Sequence, residues 1–387
     1  MPITPPSGSN LRRGAIKPAS IKAKIGAVTS RTESICVFEA YNSPITCLEP
    51  YNHEMKRYFY TTLFSLIASN LFFAGLCVAQ TASIAAKLGP AIVLNSRDAS
   101  LSLIDQQTYT EVGRIDVGKE PHHLYPTVDG KQLIVANAAS NDLHFLDPIN
   151  GKVLKRVRNI DDPYQLAFSP DQKWFVTAAL RLDRVDIYVQ EAGEIKLVKK
   201  VPIGKAPSHV WFSNDSKFVF VTLQDSNEIA ALDVAKGEVV WKMAVGKQPA
   251  GILVTPDGKH LMVGIMGEDY VQVIDWRTRQ TVAKIVTGKG AHNFRGLGDG
   301  RHVYVSNRVD NRVTKVDMQT FKVLEQIPVP GGPDCMEITA DGKLMWVTSR
   351  WLKRVSVVDL AERKVIRQIE VGRSPHGIFL QNRAPIL

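Results

Sequence analysis

Histidine returns at one place in a phrase that the chain repeats. The phrase has the form Gly-Lys/Arg-x-Pro followed by an apolar stretch, as in VGKEPHHLYP, IGKAPSHVWF, VGKQPAGILV and VGRSPHGIFL. A neutral imidazole can coordinate a metal ion, ligate haem iron or hydrogen-bond to an anion or to the backbone. Aligning seven copies places five of the nine histidines in the two positions after the proline position, namely His122, His123, His209, His292 and His376.

Other polar residues share these two positions or follow the second strand of a copy. Asp334 and Cys335 occupy the two positions in the sixth aligned copy. The residues at or just after the end of a second strand are Arg97, Arg181, Asn307, Arg308, Arg350 and Trp351. If the copies are blades of a propeller, all of these residues surround one mouth of its channel, which is a plausible binding site.

Three interpretations of this cluster remain open. The residues could be structural, since loop residues at strand starts often hydrogen-bond neighbouring backbone and imidazole can do so while partly buried. They could hold an organic anion or a tetrapyrrole. They could also bind a divalent metal through His122, His292, His376 and Asp334, although the sequence does not show that these side chains converge on one ion.

Several other chemistries lack a sequence signature. The chain contains no GxSxG, no HExxH and no clustered CxxC, and its Gly-rich GLGDGR reads as a hairpin turn. Basic residues recur in hairpin turns on the opposite face, but without the aromatic interleaving that single-stranded nucleic acid requires. The sequence therefore argues against nucleic acid as a partner, and it favours binding over catalysis without deciding the question.

The elements that position these residues follow from a repeat of 42 residues. An aspartate closes the same strand at Asp105, Asp147, Asp233, Asp275, Asp317 and Asp359, with one gap of 86 residues that spans two units. Each unit contains four short apolar runs separated by turns such as PDGK and ADGK, which predicts an antiparallel meander. Units of this size indicate propeller blades.

The ends of the repeat region complete one another. The unit that begins at AIVLN lacks a first strand, and HGIFL near residue 380 is a first strand without successors. We predict an all-β, seven-bladed β-propeller of four-stranded antiparallel blades over residues 90–380, closed by a C-terminal strand that completes the first blade.

These repeats resemble the YVTN family of seven-bladed propellers, which includes the YncE-like periplasmic proteins. The resemblance covers residues 90–380 and rests on VYVSNRVDNRVTKVD, PDGK and the VGxxPxGI phrases. VGKQPAGILVTPDGKHLMVGIMGED, MEITADGKLMWVTSR and SPHGIFLQNRAP also look like cytochrome d1-type propellers. That second resemblance implies haem d1 or a precursor at the channel mouth, with His122, His292 or His376 as axial ligand. Those propellers have eight blades, and no CxxCH occurs here.

The N-terminal region reads as a targeting segment. Lys56 and Arg57 precede an apolar run from Leu63 to Leu76 and the small residues of CVAQ, which predicts a signal peptide over residues 55–79 that starts at Met55. Residues 1–54 then form a disordered or mis-annotated upstream extension. A retained membrane anchor is the alternative, since residues 58–79 carry no charge.

The combined interpretation is an exported, periplasmic or secreted propeller that binds a ligand or partner through a channel mouth rich in histidine and arginine. The partner would be a small molecule, a tetrapyrrole or a protein, and the chain is expected to be a monomer. Membrane contact would arise only through an uncleaved signal segment. The alternatives are a cytochrome d1-like haem-binding or tetrapyrrole-binding protein and a metal-dependent, lactonase-like hydrolase.

Overall fold

The computed structural model describes residues 88–191 and 194–387, and this part of the chain is a ring of seven β-sheets. Each sheet is a blade of four antiparallel strands, as the repeat predicted. No helix in these residues has the length and apolar character that a membrane span requires. The predicted signal peptide lies outside the described residues and stays a prediction.

The strands follow one another blade by blade. Blade 1 takes β1 (Ala91–Asn95), β2 (Ser100–Asp105) and β3 (Thr110–Asp116). Blade 2 is β4 (Pro121–Pro126), β5 (Leu133–Asn137), β6 (Asp142–Leu146) and β7 (Val153–Arg158). Blade 3 is β8 (Pro163–Phe168), β9 (Trp174–Ala179), β10 (Arg184–Glu191) and β11 (Glu194–Pro202). Single 3-10 turns at Ala138–Ser140 and Leu180–Leu182 interrupt blades 2 and 3.

The remaining blades repeat this order without interruption. Blade 4 is β12 (Pro207–Phe212), β13 (Phe218–Leu223), β14 (Glu228–Asp233) and β15 (Glu238–Ala244). Blade 5 is β16 (Pro249–Val254), β17 (His260–Ile265), β18 (Tyr270–Asp275) and β19 (Gln280–Val286). Blade 6 is β20 (Ala291–Gly296), β21 (His302–Asn307), β22 (Arg312–Asp317) and β23 (Lys322–Pro328). Blade 7 is β24 (Pro333–Ile338), β25 (Leu344–Ser349), β26 (Arg354–Asp359) and β27 (Lys364–Glu370).

The last strand, β28 (Pro375–Phe379), closes the ring. It pairs antiparallel with β1, with Ile92 opposite Phe379 and Val93 opposite Ile378, and so becomes the inner strand of blade 1. The predicted exchange of strands between the two ends of the repeat region is confirmed.

The hydrophobic core is distributed around the ring. Seven buried apolar clusters each combine residues from two adjacent blades, for example Val176 and Val185 of blade 3 with Val221 and Leu232 of blade 4. The inner three strands of a blade are mostly buried, whereas outer strands such as β15 alternate between exposed and half-buried residues. The blades are thus held side by side by apolar packing, and the hub is free to carry polar groups.

The recurring aspartates have a structural role. The Oδ1 atom of Asp275 accepts hydrogen bonds from the backbone N–H groups of Arg277 and Thr278, at 2.9 and 3.0 Å. Asp317 and Asp359 make the same pair of contacts in their own blades. A carboxylate that accepts from the backbone two and three residues ahead fixes a tight turn, which explains why the repeat is marked by this residue.

Each inner strand carries an irregularity where it starts. The pairing register shifts just after the proline position in all seven blades, as between Pro121 and His123 or between Pro207 and Val210. Side chains of a regular strand alternate between faces, but a bulge changes that alternation. His122 and His123 are adjacent in sequence, yet both rings lie beside His376, at centroid distances of 3.7 and 4.8 Å.

The C-terminal tail contacts the last residues of the inner strand β20. The buried Arg295 donates hydrogen bonds to the carbonyl oxygens of Ala384 and Pro385, both at 2.7 Å. The backbone of Gly296 lies against the carbonyl of Ile386 with no room for a Cβ atom. The tail therefore lies directly against the inner strand β20.

Candidate functional site

The hub cluster is the group of side chains at the centre of the ring: His122, His123, His209, His292, Asp334, Cys335 and His376. The five imidazoles come from four inner strands, and none of them exposes more than 8% of its surface. The sequence placed these residues together at an open mouth. The structure brings them together, and it buries them beneath the surface.

Hydrogen bonds fix the orientation of several of these rings. The Nδ1 atom of His376 lies 2.6 Å from the carbonyl oxygen of His122, and that of His123 lies 3.0 Å from the carbonyl oxygen of Tyr164. The Nδ1 atom of His209 lies 3.1 Å from the Ser208 hydroxyl. A ring that donates from Nδ1 keeps the lone pair on Nε2. The buried Nε2 atoms of His209 and His376 have no hydrogen-bond partner in the described part of the chain.

The rings are also in contact with one another. His122 lies between Tyr164 and His376, with ring centroids 3.8 and 3.7 Å away. His209 follows around the hub, 5.5 Å from His123 and 5.2 Å from His292. Tyr164 occupies the position in blade 3 that His122 holds in blade 2. The repeated histidines alone did not predict that its ring lies against His122.

Asp334 is the negative charge of the hub cluster. Its Oδ2 atom accepts from Arg308 and, at 3.2 Å, from Arg350, while its Oδ1 atom accepts from the Asn293 amide at 3.0 Å. His292 and His376 lie 3.2 and 3.5 Å from the same carboxylate. Two guanidinium groups face one carboxylate, so this layer of the hub carries net positive charge when the imidazoles are neutral.

Burial and these charges determine which groups are ionised. Burial lowers the pKa of His123 to about 3, and burial with the nearby Arg308 guanidinium lowers the pKa of His292 to about 4. Burial also holds the pKa of His122, His209 and His376 well below the ordinary value. Five neutral imidazoles are therefore present at neutral pH, in the form that binds metals.

Cys335 places a thiol at the edge of the hub cluster. Its Sγ atom lies 3.6 Å from the Nδ1 atom of His376 and 3.4 Å from the Asn293 amide. Burial and the adjacent Asp334 carboxylate raise the pKa of this thiol well above its usual range. Two sets of groups lie close enough to hold one ion: His122 with His123 and His376, and Asp334 with Cys335 and His376.

The hub does not fit a haem or another tetrapyrrole. A macrocycle needs a large cleft beside an accessible axial nitrogen. Here the candidate axial ligands His122, His292 and His376 are at most 1% exposed, and His122 is stacked between two rings. The cavity on the other side of the histidines measures about 140 Å³, which is below the range of small-molecule pockets.

A surface pocket lies between blades 7 and 1. It has a volume of about 330 Å³ and is lined by Arg97, Arg350, Trp351, Lys353, Arg373 and Ser374. Arg373 pairs with Asp98 at 2.5 Å and Arg350 reaches Asp334, whereas Arg97 and Lys353 have no ion-pair partner among the described residues. The pocket therefore has positive charge that the chain itself does not neutralise.

Trp351 is held in place by a glycine. The indole lies over the backbone of Gly332, where a Cβ atom would be 2.6 Å from the ring and where φ is +69°. The backbone N–H of Trp351 donates to the Gly331 carbonyl at 2.9 Å. The side chain nevertheless exposes 57% of its surface, so it offers an aromatic face to a ligand.

Two of the predicted residues lie elsewhere. Arg181 forms ion pairs with Glu120 and Asp162 on the loops of blades 2 and 3. Asn307 is fully buried, and its amide bonds Thr314 and the Val305 carbonyl within blade 6 and accepts from Thr287 on the loop before that blade. Asn307 therefore stabilises blade 6 and does not face the anion pocket or the hub cluster.

Two further channel residues, Arg295 and Glu337, were not predicted from the sequence. Arg295 and Glu337 line the cavity on the far side of the histidines, and their side chains pair at 3.1 Å. Burial raises the pKa of Glu337 although Arg295 opposes that shift. Both residues lie two positions beyond the second aligned column, so continuing the alignment along the strand would have found them.

The fold and the polar hub define a seven-bladed propeller with a buried polar centre and a cationic surface pocket. The model of the YNCE-like beta-propeller family matches residues 62–386, so the chain belongs to that family. This confirms the resemblance that the repeats indicated. None of the curated proteins matches the chain significantly.

Solved structures share the fold at low identity. Hydrazine synthase of Kuenenia stuttgartiensis is 21% identical over 66% of this chain and 88% of its own, with a TM-score of 0.57. A functionally unknown protein of Desulfotomaculum acetoxidans is 14% identical over 76% and 98%, with a TM-score of 0.65. The dihydro-haem d1 dehydrogenase NirN, in complex with DHE, is 20% identical over 75% and 65%, with a TM-score of 0.56. At such identities these likenesses concern the fold alone.

Proposed function

We propose that this YNCE-like propeller is a binding protein for a small organic anion that carries carboxylate groups. The observation that carries the proposal is the pocket between blades 7 and 1, where four cationic side chains converge and no acidic side chain lines the wall. Guanidinium groups match carboxylates in shape and charge, and an oxyanion would neutralise Arg97 and Lys353.

Four lysines in hairpin turns of the opposite face differ from Arg97 and Lys353 because each has an acidic partner. Lys131, Lys173, Lys217 and Lys343 each lie within 4.0 Å of the aspartate of their own hairpin turn. Their charge is offset locally, whereas that of Arg97 and Lys353 is not. An anion is therefore attracted preferentially to the pocket between blades 7 and 1.

The dimensions of the pocket indicate a small ligand. A volume of about 330 Å³ lies near the lower end of the range for small-molecule sites. Trp351 supplies an apolar wall and Ser374 a hydroxyl, which suits a compact molecule with both carboxylates and carbon surface. The burial of the histidines keeps a substrate away from the hub, and this favours binding over the hydrolase alternative.

Calorimetric titration of the full-length protein with citrate tests this proposal. We expect saturable binding that weakens as ionic strength rises, because exposed charges are screened by salt. The double substitution Arg97→Gln with Lys353→Gln should weaken citrate binding by on the order of 10-fold, since it removes two unpaired charges.

The matched control is Lys131→Gln with Lys343→Gln, which removes the same charge from exposed turns of the opposite face. It should leave citrate binding unchanged. The proposal is wrong if the native protein does not bind citrate, or if both double variants weaken binding equally, which would indicate a response to net charge alone.

A further inference from the structure

We propose that the hub cluster binds a late first-row transition-metal ion through neutral imidazole nitrogens, with Cys335 at the edge of the coordination sphere. The site is separate from the anion pocket, and neither proposal depends on the other. The ligands that we assign are His122, His123 and His376, and His209 lies next to them.

The first argument is geometric. Candidate ligand atoms of His122, His123 and His376 all lie within 4.8 Å of one another, and so do those of Asp334, Cys335 and His376. Nitrogen ligands at about 2.0–2.1 Å from one ion are separated by roughly 3–4 Å. Small rotations of the rings would therefore bring them to an ion, and His376 belongs to both sets.

The second argument is the unpaired nitrogen atoms. The Nε2 atoms of His376 and His209 are buried without a hydrogen bond, although the Asp334 carboxylate lies 3.5 Å from that of His376, and a buried polar atom without a hydrogen bond is costly. On the opposite side of each ring, Nδ1 is anchored to the His122 carbonyl or to the Ser208 hydroxyl. A histidine anchored by one nitrogen, with the other free, is the usual arrangement of a metal ligand.

The third argument concerns the kind of ion. Imidazole and thiol ligands suit copper and zinc better than magnesium or calcium, which prefer oxygen. Arg308 and Arg350 outnumber the Asp334 carboxylate, so the local field opposes a divalent ion more strongly than a monovalent one. Monovalent copper therefore fits this hub better than Zn²⁺.

The experiment uses full-length protein purified without metal under reducing conditions. Titration of Cu(I) against the chelator bicinchoninate, and of Zn²⁺ against a colorimetric chelator, should show one ion per chain with tighter binding of Cu(I). X-ray absorption of the loaded protein should show nitrogen neighbours at about 2.0 Å. His123→Gln with His376→Gln should weaken binding by on the order of 100-fold.

His144→Gln is the matched control. His144 is also a buried histidine whose ring nitrogens make no hydrogen bond, with Nε2 3.8 Å from the Asp142 carboxylate, but it lies on β6 and not on an inner strand. Its variant, and the Arg97→Gln with Lys353→Gln variant, should bind metal like the native protein. The proposal is overturned if the native protein binds neither ion, if X-ray absorption shows no nitrogen shell, or if binding survives His123→Gln with His376→Gln. Tighter binding of Zn²⁺ than of Cu(I) would overturn the assignment of a monovalent ion.

Discussion

Arg350 connects the two sites that we propose. It lines the anion pocket and donates to Asp334 at 3.2 Å, and Asp334 in turn lies beside His292 and His376. An oxyanion in the pocket would compete with Asp334 for this guanidinium. The charge that the hub histidines experience would then change with occupancy of the surface pocket.

The depressed pKa values of the hub histidines predict acid sensitivity. His123 and His292 titrate at about 3 and 4 when folded but near 6.5 when unfolded, so the unfolded chain takes up protons first as the pH falls. Their contribution to stability is complete at neutral pH and is lost progressively from about pH 6.5 down to about pH 4 for His292 and about pH 3 for His123. At pH 5 each of these two histidines should lower the free energy of unfolding by about 2 kcal/mol relative to neutral pH.

Urea unfolding at pH 8 and pH 5 measures this effect. His292→Gln cannot gain a proton, so its free energy of unfolding should change less between the two pH values than that of the native protein. An equal change in both proteins would contradict the assignment of the acid sensitivity to this histidine.

At the residue scale, the sequence predicted which residues meet at the hub, but it did not predict that they are buried. The alignment identified all five histidines, Asp334 and Cys335, because the repeat places equivalent positions at equivalent points of the ring. Burial depends on the residues that surround a side chain in the ring, and Arg308 and Arg350 reach Asp334 from loops of two different blades. Asn307 ends β21 directly before Arg308, and no local pattern shows that its amide turns inward to Thr314.

At the element scale, the bulge in each inner strand is the feature that the sequence did not reveal. The hairpins and their register followed from apolar runs and Asp-Gly turns. The residues at the shift differ, being His-His in β4 and Ala-Gly in β16, although each shift follows the proline position of the repeat.

The tail segment gives a prediction about a single buried ion pair. Arg295 is 4% exposed and binds both Glu337 and the tail carbonyls, so Arg295→Met leaves a buried carboxylate and several carbonyls without a partner. We expect a loss of about 3–5 kcal/mol in the free energy of unfolding, measured by urea denaturation.

The double variant Arg295→Met with Glu337→Met is the control, because it removes the uncompensated carboxylate as well. It should recover part of the lost stability. Equal stability of the single and double variants would show that the tail contacts, and not the ion pair, account for the effect.

At the scale of the whole molecule, closure by β28 makes the ring a single cooperative unit. Deleting residues 371–387 removes the inner strand of blade 1 and exposes the apolar surface of Ile92, Val93 and their neighbours in blades 7 and 2. We expect the whole propeller to unfold, as a loss of the circular dichroism melting transition.

Deleting residues 383–387 is the control, since it removes the end of the tail and keeps β28. It should lower the melting temperature and preserve a cooperative transition. An unchanged melting temperature after deletion of residues 371–387 would contradict the role of β28 as the closing strand.

The position of His376 on β28 also links the hub to the order of protein synthesis. Its ring stacks on His122, which belongs to the second blade, although 254 residues separate the two along the chain. A ribosome must therefore translate nearly all of the propeller before the hub cluster can exist. A nascent or prematurely terminated chain lacks the site, so metal capture is confined to molecules whose ring has already been finished.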